Sequence, residues 1–473
     1  MRLTNAMTTN RLLLNLNRSA TTVDRLWMQA STGKKIQSPA ENPIIASRAL
    51  RFRTNISETR QFQNNTNQGI SWMEVSDSSL NNTTRILTRI NDLLVQGASD
   101  TYPNINRQQI AHEISELYQQ LNAEMNSTFA GRYVFSGFRT NHPPIIAKDD
   151  PDAHFEITKT INARDVARDV ARAWIPPGSA ALGSKPEPES ERTNIIRLPY
   201  NNNNIDPATI SIPGFTINTT PLGSAVNPYD VSLIGANQIN FIPETGELVL
   251  GTDALNALDA GDLQLTYEVE GLFRGELNPI IYFDVVDMNT GVAFNQSDQE
   301  MQFEFGTNVR LTINVQSRLA YPWQFFSDIA ALVEGVNRVQ ISTEEELRTH
   351  FSGPPHNLTN EALELAIEER LVQERALYRE TSREKFSNML ALMERHSSTM
   401  TTEYTTLGSR LNRLNLIYER LDENLDTFTE LMSQNENVDV VEVLMRLNAA
   451  ESIYQAAMQI GARIAQLSLV NFI

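Results

Sequence analysis

Leu411-Asn412-Arg413-Leu414-Asn415-Leu416-Ile417-Tyr418-Glu419-Arg420-Leu421-Asp422-Glu423-Asn424-Leu425-Asp426-Thr427-Phe428-Thr429-Glu430-Leu431-Met432 carries the decisive pattern. Within it Leu411, Leu414, Tyr418, Leu421, Leu425, Phe428 and Met432 follow one another in steps of 3, 4, 3, 4, 3 and 4. Such steps place every apolar side chain on one stripe of an α-helix, the seam along which a second helix packs. A strand, with its period of two, cannot gather them on one face. No proline follows Pro355, and proline is the residue that breaks helix interiors, at a cost of about 3 kcal/mol. A single helix is therefore expected from about Thr359 to Met432, on the order of 110 Å long at 1.5 Å per residue.

The same reading extends outward. After an interruption from Gln434 to Val438, Asp439 with Glu442 three residues on resembles a capping box, and a final helix follows with Ile453, Ala457, Ile460, Ile464 and Leu467 in heptad register. At the other end Leu12, Leu16, Val23, Leu26 and Ala30 form a seam with Ser19 as its polar gap, and Gly33 is a plausible helix stop. Ser38-Pro39-Ala40-Glu41 has the form of a capping box with proline at the first helical position, and Asn42-Pro43 offers a second start of the same kind. The helix that begins there should carry Met73, Leu80, Leu87 and Leu94, spaced by seven, with Ile90 on the alternate seam position. A turn at residues 99–104 precedes a third helix, with Ile110, Ile114, Leu117 and Leu121 on one face, that ends before Gly131.

Fifteen of the 20 prolines lie between Pro143 and Pro322, and there the period changes. Pro243-Glu244-Thr245-Gly246 separates strand-like runs at Ile239–Ile242 and Glu247–Leu250. Asp287 to Gly291 does the same between Ile280–Val286 and Val292–Phe294. Leu263–Glu270, Met301–Phe305 and Val309–Val315 also read as strands, and residues 176–204 as loop or linker. An amphipathic helix with Phe325, Ile329, Leu332 and Val336 and a loop around Gly353-Pro354-Pro355 lead into the long helix. The expected architecture is mainly α with a strand-rich insertion: a long antiparallel helical bundle or coiled-coil rod from both termini plus a central β-rich domain. Its divisions are an N-terminal assembly helix (1–42), two rod halves (43–140 and 322–435), the central outward-facing domain (141–321) and a C-terminal assembly helix (436–473).

Composition narrows the function. The chain has 473 residues, no cysteine and a formal net charge of −18. Disulfides, thiolate metal sites and a cysteine nucleophile are excluded, and so large an acidic excess argues against nucleic-acid binding. No run of 18 apolar residues suggests a membrane span, and residues 1–20 do not read as a cleaved signal peptide. The six histidines, among them His112, His154 and His396, are scattered and form no H-E-x-x-H pair. Thr32-Gly33-Lys34-Lys35 lacks the glycine and the hydroxyl residue of a phosphate loop. No catalytic residue, metal or cofactor is expected. Residues 1–60 carry a net charge of +7 and residues 361–473 a net charge of −7, so the two arms are expected to pair, within one chain or between neighbours. Heptads alone leave an intramolecular bundle and an assembly subunit equally open.

Three stretches add a resemblance. Gln29-Ala30-Ser31-Thr32-Gly33-Lys34-Lys35-Ile36-Gln37-Ser38-Pro39-Ala40-Glu41-Asn42-Pro43, the block Asn65 to Val75 centred on Asn67-Gln68-Gly69-Ile70-Ser71, and the C-terminal run from Leu447 through Ala449-Ala450-Glu451 to Leu469 resemble the ends of the flagellin superfamily, in the right order. They cover roughly residues 1–140 and 360–473. Met1-Arg2-Leu3-Thr4-Asn5-Ala6-Met7, Ser38 to Pro43, Gly131-Arg132-Tyr133-Val134-Phe135-Ser136-Gly137 and the ending Ser468 to Ile473 are more similar to the hook-associated junction branch than to flagellins.

The resemblance implies a secreted, non-enzymatic structural subunit of the bacterial flagellum. It would be exported through the flagellar type III apparatus and assemble at the hook–filament junction. The implied partners are copies of itself in a ring, the neighbouring hook-associated junction protein, flagellin, and an export chaperone held by the C-terminal region, with no nucleic acid and no membrane. The inner assembly interface is expected to set Leu12, Leu16, Val23 and Leu26 against Ile453, Ala457, Ile460, Ile464 and Leu467. The rod seam is expected to use Met73, Leu80, Leu87, Leu94 and the seven residues from Leu411 to Met432. A filament flagellin, or a surface adhesin or binding module carried by the central domain, are the alternative readings.

Overall fold

The computed structural model describes residues 5–99, 104–174, 189–200, 204–224, 226–296, 299–337, 342–353 and 357–470. Most of the expected turn at 99–104, the two prolines after Gly353, much of the 176–204 stretch and the outermost residues of both terminal markers lie outside the described residues. Three helices open the chain: α1 (Asn5–Thr32), α2 (Pro43–Ala98) and α3 (Asn104–Met125). The strand-rich middle begins with the short pair β1 (Thr128–Phe129) and β2 (Arg132–Tyr133), then β3 (Asp150–Ile161), β4 (Ala167–Trp174), β5 (Glu189–Arg197), β6 (Thr216–Thr219), β7 (Gln238–Ile242) and β8 (Glu247–Leu250). It continues with α4 (Thr252–Ala260), β9 (Leu263–Leu272), the single turn α5 (Pro279–Tyr282), β10 (Asp284–Asp287), β11 (Ala293–Phe294), β12 (Gln302–Gly306) and β13 (Val309–Thr312). Helices α6 (Ser317–Ala320), α7 (Trp323–Asn337), α8 (Glu344–Ser352), α9 (Asn360–Glu436) and α10 (Val440–Val470) complete it. The protein is mainly α with a strand-rich middle. Its described residues fall into two compact units: those of 1–68, 304–310 and 413–473, and those of 69–303 and 311–412.

In the first unit the helix ends follow local chemistry. Gly33 takes φ +68°, and its amide donates to the Gln29 carbonyl at 2.9 Å, closing α1 as only glycine does without strain. Helix α2 starts at Pro43, not at the Ser38 box. The Asn42 side chain accepts from the amides of Ile44 and Ile45 at 3.1 and 3.2 Å, while Ser38 to Glu41 forms a turn in which the Glu41 amide donates to the Ser38 carbonyl. Pro43 decides between the two starts, because the residue before a proline is pushed out of the helical region. Asp439 caps α10 by accepting from the amides of Val441 and Glu442.

In the second unit four strands form the sheet β11-β10-β3-β9 and five form β4-β5-β8-β7-β6, in which β6 and β7 are parallel and the other neighbours antiparallel. Val285, Ile157 and Tyr267 lie side by side across the first sheet, and Ile196, Leu248 and Phe241 across the second, all buried. Such cross-strand columns are the packing unit of a sheet. The 243–246 turn joins β7 to β8 with Gly246 at φ +65°.

Two expectations fail here. Residues 189–197, within the stretch read as linker, form β5, hydrogen-bonded to β4 on one side and β8 on the other. Residues Ile280 to Tyr282 form one helical turn rather than a strand, because Pro279 sits at its first position and the Asn278 side chain caps the Ile280 amide at 3.2 Å. Strands β3 and β4 were not expected at all.

The helices of this unit pack tightly. A Cβ added at Gly97 of α2 would sit 2.5 Å from the Phe386 ring of α9, so the close approach depends on glycine. Buried Arg107 of α3 donates to the carbonyls of Gly97 and Ser99 at 2.9 Å and of Arg379 at 3.2 Å, satisfying acceptors that the end of α2 leaves open. Phe325, Ile329, Leu332 and Val336 of α7 are all buried.

Candidate assembly interface

Helices α1 and α10 pack antiparallel in the first unit. Leu26 meets Val443 and Leu447, with Val23, Ala30, Val438 and Ala450 around them. At the other end a Cβ at Gly461 would lie 3.3 Å from Leu12 and 3.5 Å from Leu16, so both leucines rest on Gly461. Leu26 is buried, and Leu12, Leu16, Ser19 and Val23 are half-buried while Leu13, Leu14 and Trp27 are exposed. The N-terminal seam thus turns toward α10.

On α10 a different register faces α1 from the one expected. Val443, Leu447, Ala450, Tyr454, Ala457 and Gly461 are buried or half-buried, in steps of 4, 3, 4, 3 and 4. Ala457 is common to both registers. Ile453 and Ile460 lie off this seam, 62% and 54% exposed, so within one chain they do not meet Leu12 to Leu26. The side chains of Ile464 and Leu467 lie outside the described residues. The helix is apolar nearly all round, so two heptads can be drawn on it. The small residues Ala450, Ala457 and Gly461 were the sequence signal for the covered one, because they let a partner helix come close.

A polar clasp ties the two inter-helix linkers together below this seam. The Lys35 amide donates to the Glu436 carbonyl at 2.7 Å and the Val438 amide to the Gly33 carbonyl at 3.0 Å. Lys34 Nζ lies 3.1 Å from the Glu436 carboxylate and 2.7 Å from Asn437 Oδ1, and Arg53 reaches the same carboxylate at 2.9 Å. Lys35 Nζ donates to the Gln434 carbonyl. Burial pushes the Glu436 carboxyl up, but the hydrogen bonds and charges of Arg53 and Lys34 outweigh it, and its pKa is lowered. Gly33, Lys34, Lys35 and the break from Gln434 to Val438 were noted in the sequence, but none was read as a contact between the arms beyond their opposite net charges.

Met73, Leu80, Leu87 and Leu94 are buried on α2. On α9, Leu414 and Leu421 are buried, while Leu411, Tyr418, Leu425, Phe428 and Met432 are half-buried. Beyond the covered seams, α10 exposes Val441, Leu444 and Met445 together with Ile453 and Ile460, and α2 exposes Ile44 and Leu50. Among the described residues no cluster of His, Asp or Glu could hold a metal ion, and no helix is long and apolar enough to cross a membrane.

Comparison with known proteins gives a consistent picture at both ends. The family model of the bacterial flagellin N-terminal helical region matches residues 3–140, and that of the C-terminal helical region matches residues 390–473. Flagellin 1 of Proteus mirabilis is 28% identical over 150 residues, 31% of this chain and 41% of that protein. Flagellar hook-associated protein 3 of Salmonella typhimurium is 26% identical over 121 residues, 25% of this chain and 38% of that one. The chain thus spans about two fifths of the length of these curated relatives. The crystal structure of flagellar hook-associated protein 3 from Legionella pneumophila aligns over 81% of this chain and 97% of its own, at 13% identity and a TM-score of 0.32.

Proposed function

We propose that this chain, which belongs to the flagellin superfamily by the models matching both its ends, is a structural subunit joining the flagellar hook to the filament. The observation that carries the reading is the uncovered apolar face of α10. Val441, Leu444, Met445, Ile453 and Ile460 stay exposed on a helix whose opposite seam is already filled by α1. Each such side chain contributes about 1.5–3 kcal/mol when buried, and neighbouring copies at a growing end would supply that burial. Subunits of this kind form a ring between the other junction protein and the first flagellin. The missing cysteine suits export through the type III apparatus in an unfolded state, with the C-terminal region held by a chaperone until docking.

The junction is favoured over a filament role by the segment Gly131 to Gly137. Ala130 and Gly131 both take positive φ, the type I′ pattern of a two-residue hairpin turn between β1 and β2. The chain then turns Val134 and Phe135 fully inward, the Phe135 ring edge-on to Tyr321. Residues typical of the junction branch are thus built into the second unit's core.

Immunogold electron microscopy of sheared flagella, with antibody against residues 141–321, tests the proposal. Label confined to one end of each filament is the expected result. Label along the whole length would make the chain a flagellin.

A further inference from the structure

A groove of about 1060 Å³ opens in the second unit, lined by the turn before β4, by β4 itself, by α7 and by α9. It lies just above the range of about 300–1,000 Å³ usual for ligand sites, which suits an extended ligand. Buried Val166, Ile195, Trp323, Leu332 and Met389 give it apolar lining, and the polar side chains of Gln324, Asn388 and Thr399 also face it.

The charges around the groove do not cancel. Its acids are already engaged: Asp165 accepts from Gln324 at 2.6 Å, Asp328 pairs with His396 at 2.8 Å, and Asp169 and Glu384 share Arg192 at 3.0 and 3.4 Å. Arg172 and Arg197 are held by Glu247 and Glu334 at 2.7 and 2.8 Å, and Arg168 pairs with Asp259. Arg164 and Arg395 also line the groove, both exposed, and neither guanidinium has a partner among the described residues. Behind Trp323 lies Lys159, whose buried Nζ has no hydrogen-bond partner and sits 2.8 Å from the centre of the indole ring; burial favours its neutral amine, so it adds no fixed charge to the groove. The lining itself holds six arginines and Lys385 against the four carboxylates of Asp165, Asp169, Asp328 and Glu384, and in a chain with a net charge of −18 this local reversal of sign selects an anion.

We propose that this groove binds an anionic saccharide chain, with Arg164 and Arg395 taking its carboxylate or sulfate groups and the apolar lining its ring faces. Planar guanidinium groups match such oxyanions in paired hydrogen bonds. Amide and hydroxyl side chains both donate and accept, as sugar hydroxyls require. A peptide added as a further strand is disfavoured on the same evidence. Strand β4 is the edge of its sheet, but its register with β5 shifts between Ala167 and Val170, and Asp169 stands at φ +50° with its amide tied to Asn194. Such bulges are devices that keep strands from adding to an edge. The proposal is independent of the junction role.

Calorimetric titration of the full-length protein tests it, with polygalacturonate, chondroitin sulfate, neutral dextran and single-stranded DNA of similar length. Either acidic saccharide should bind, more weakly at high salt. Polygalacturonate alone would assign the site to carboxylates, and chondroitin sulfate alone to sulfates. Arg164→Ala and Arg395→Ala should each weaken binding roughly tenfold, the loss of one charged hydrogen bond, and the double variant should abolish it without moving the melting temperature. Unchanged affinity in the double variant, equal binding of dextran or of DNA, or no binding of either acidic chain would overturn it.

Discussion

Helices α7 and α10 are both rich in apolar residues, yet they end up in opposite conditions. Helix α7 buries Phe325, Ile329, Leu332 and Val336 within its own unit. Helix α10 buries Val443 and Leu447 and leaves Val441 67% and Ile453 62% exposed. Around α7 the second unit closes over its own apolar side chains, although it leaves Ile105, Phe138, Leu365 and Val372 exposed elsewhere. The first unit carries more apolar surface than its own chain covers. Surplus apolar surface on a helix end is a cost in a monomer and a source of binding energy in an assembly. Under the proposed assembly role, α7 belongs to the scaffold and α10 to the joint.

The contrast is broken most directly by paired substitutions. Leu80 on α2 is 0% exposed, and Leu80→Ala should cost about 2–5 kcal/mol through lost burial and the cavity left behind. Ile453→Ser should change monomer stability by no more than about 0.5 kcal/mol, as surface substitutions do, while lowering incorporation into flagella. Urea melts of the purified chains and a motility assay read both quantities. A large loss of monomer stability in Ile453→Ser would mean that the face is covered within the chain.

The next effect belongs to the second unit and depends on pH. Burial lowers the Lys159 ammonium from 10.5 to about 7, with the charge of Asp165 opposing. The folded state thus favours the neutral amine. Its contribution is full above pH 10.5 and is lost as pH falls through 7. Glu276 behaves oppositely. Burial raises its carboxyl from 4.5 to about 7, the Phe273 amide opposes this and Asp149 adds to it, so its contribution is full below pH 4.5 and is lost as pH rises through 7. These two groups leave the unit least stable near neutrality. Lys159→Met should gain on the order of 3 kcal/mol at neutral pH and below, because a buried cation with no hydrogen-bond partner is removed. The gain should fade toward pH 10.5 and leave the acid limb of Glu276 in place. Denaturant midpoints measured from acid to alkaline pH check it, and a gain that does not vary with pH would rule out titration of Lys159 as the cause.

The helices were the legible part of this fold, and the reason is length. A seam such as Leu411 to Met432 repeats its message over six turns, so no single misleading residue hides it. Strand β3 shows the opposite case. Ala153, Phe155, Ile157 and Ile161 alternate with polar residues and are buried on one face, but the run follows Pro151, and nothing local says that β9 and β10 will flank it. Strand β5 was hidden by the Pro- and Glu-rich residues before it, although Ile195 and Ile196 become central to its sheet. At the proposed joint, the α1 seam was legible because Leu12, Leu16, Val23, Leu26 and Ala30 keep heptad register, while its other apolar residues, such as Leu13, Leu14 and Trp27, form no second seam of that length. The α10 seam was ambiguous because two stripes are apolar, and only packing against Leu12, Leu16 and Leu26 separates them. The clasp was illegible beyond its charge, since Glu436 lies hundreds of residues from both Lys34 and Arg53.

That clasp gives the smallest of these effects and the one that sharpens the comparison most. The Glu436 carboxyl is lowered below its usual 4.5 because Arg53 and Lys34 outweigh the cost of burying it. Its contribution is therefore present above pH 4.5 and lost as the carboxyl protonates in acid. Glu436→Gln keeps the shape and the main chain, but turns an amide donor toward one of the two cations. A loss of about 1–2 kcal/mol at neutral pH is expected, the scale of one charged hydrogen bond, shrinking in acid where the wild type loses its charge as well. The loss should be local. Hydrogen exchange at the Lys35 and Val438 amides, which bridge the two linkers, should speed up about tenfold, while the amides between β3 and β9 keep their protection. Equal acceleration in both places would mean that the two units unfold as one, and that the joint has no independent stability to give up on docking.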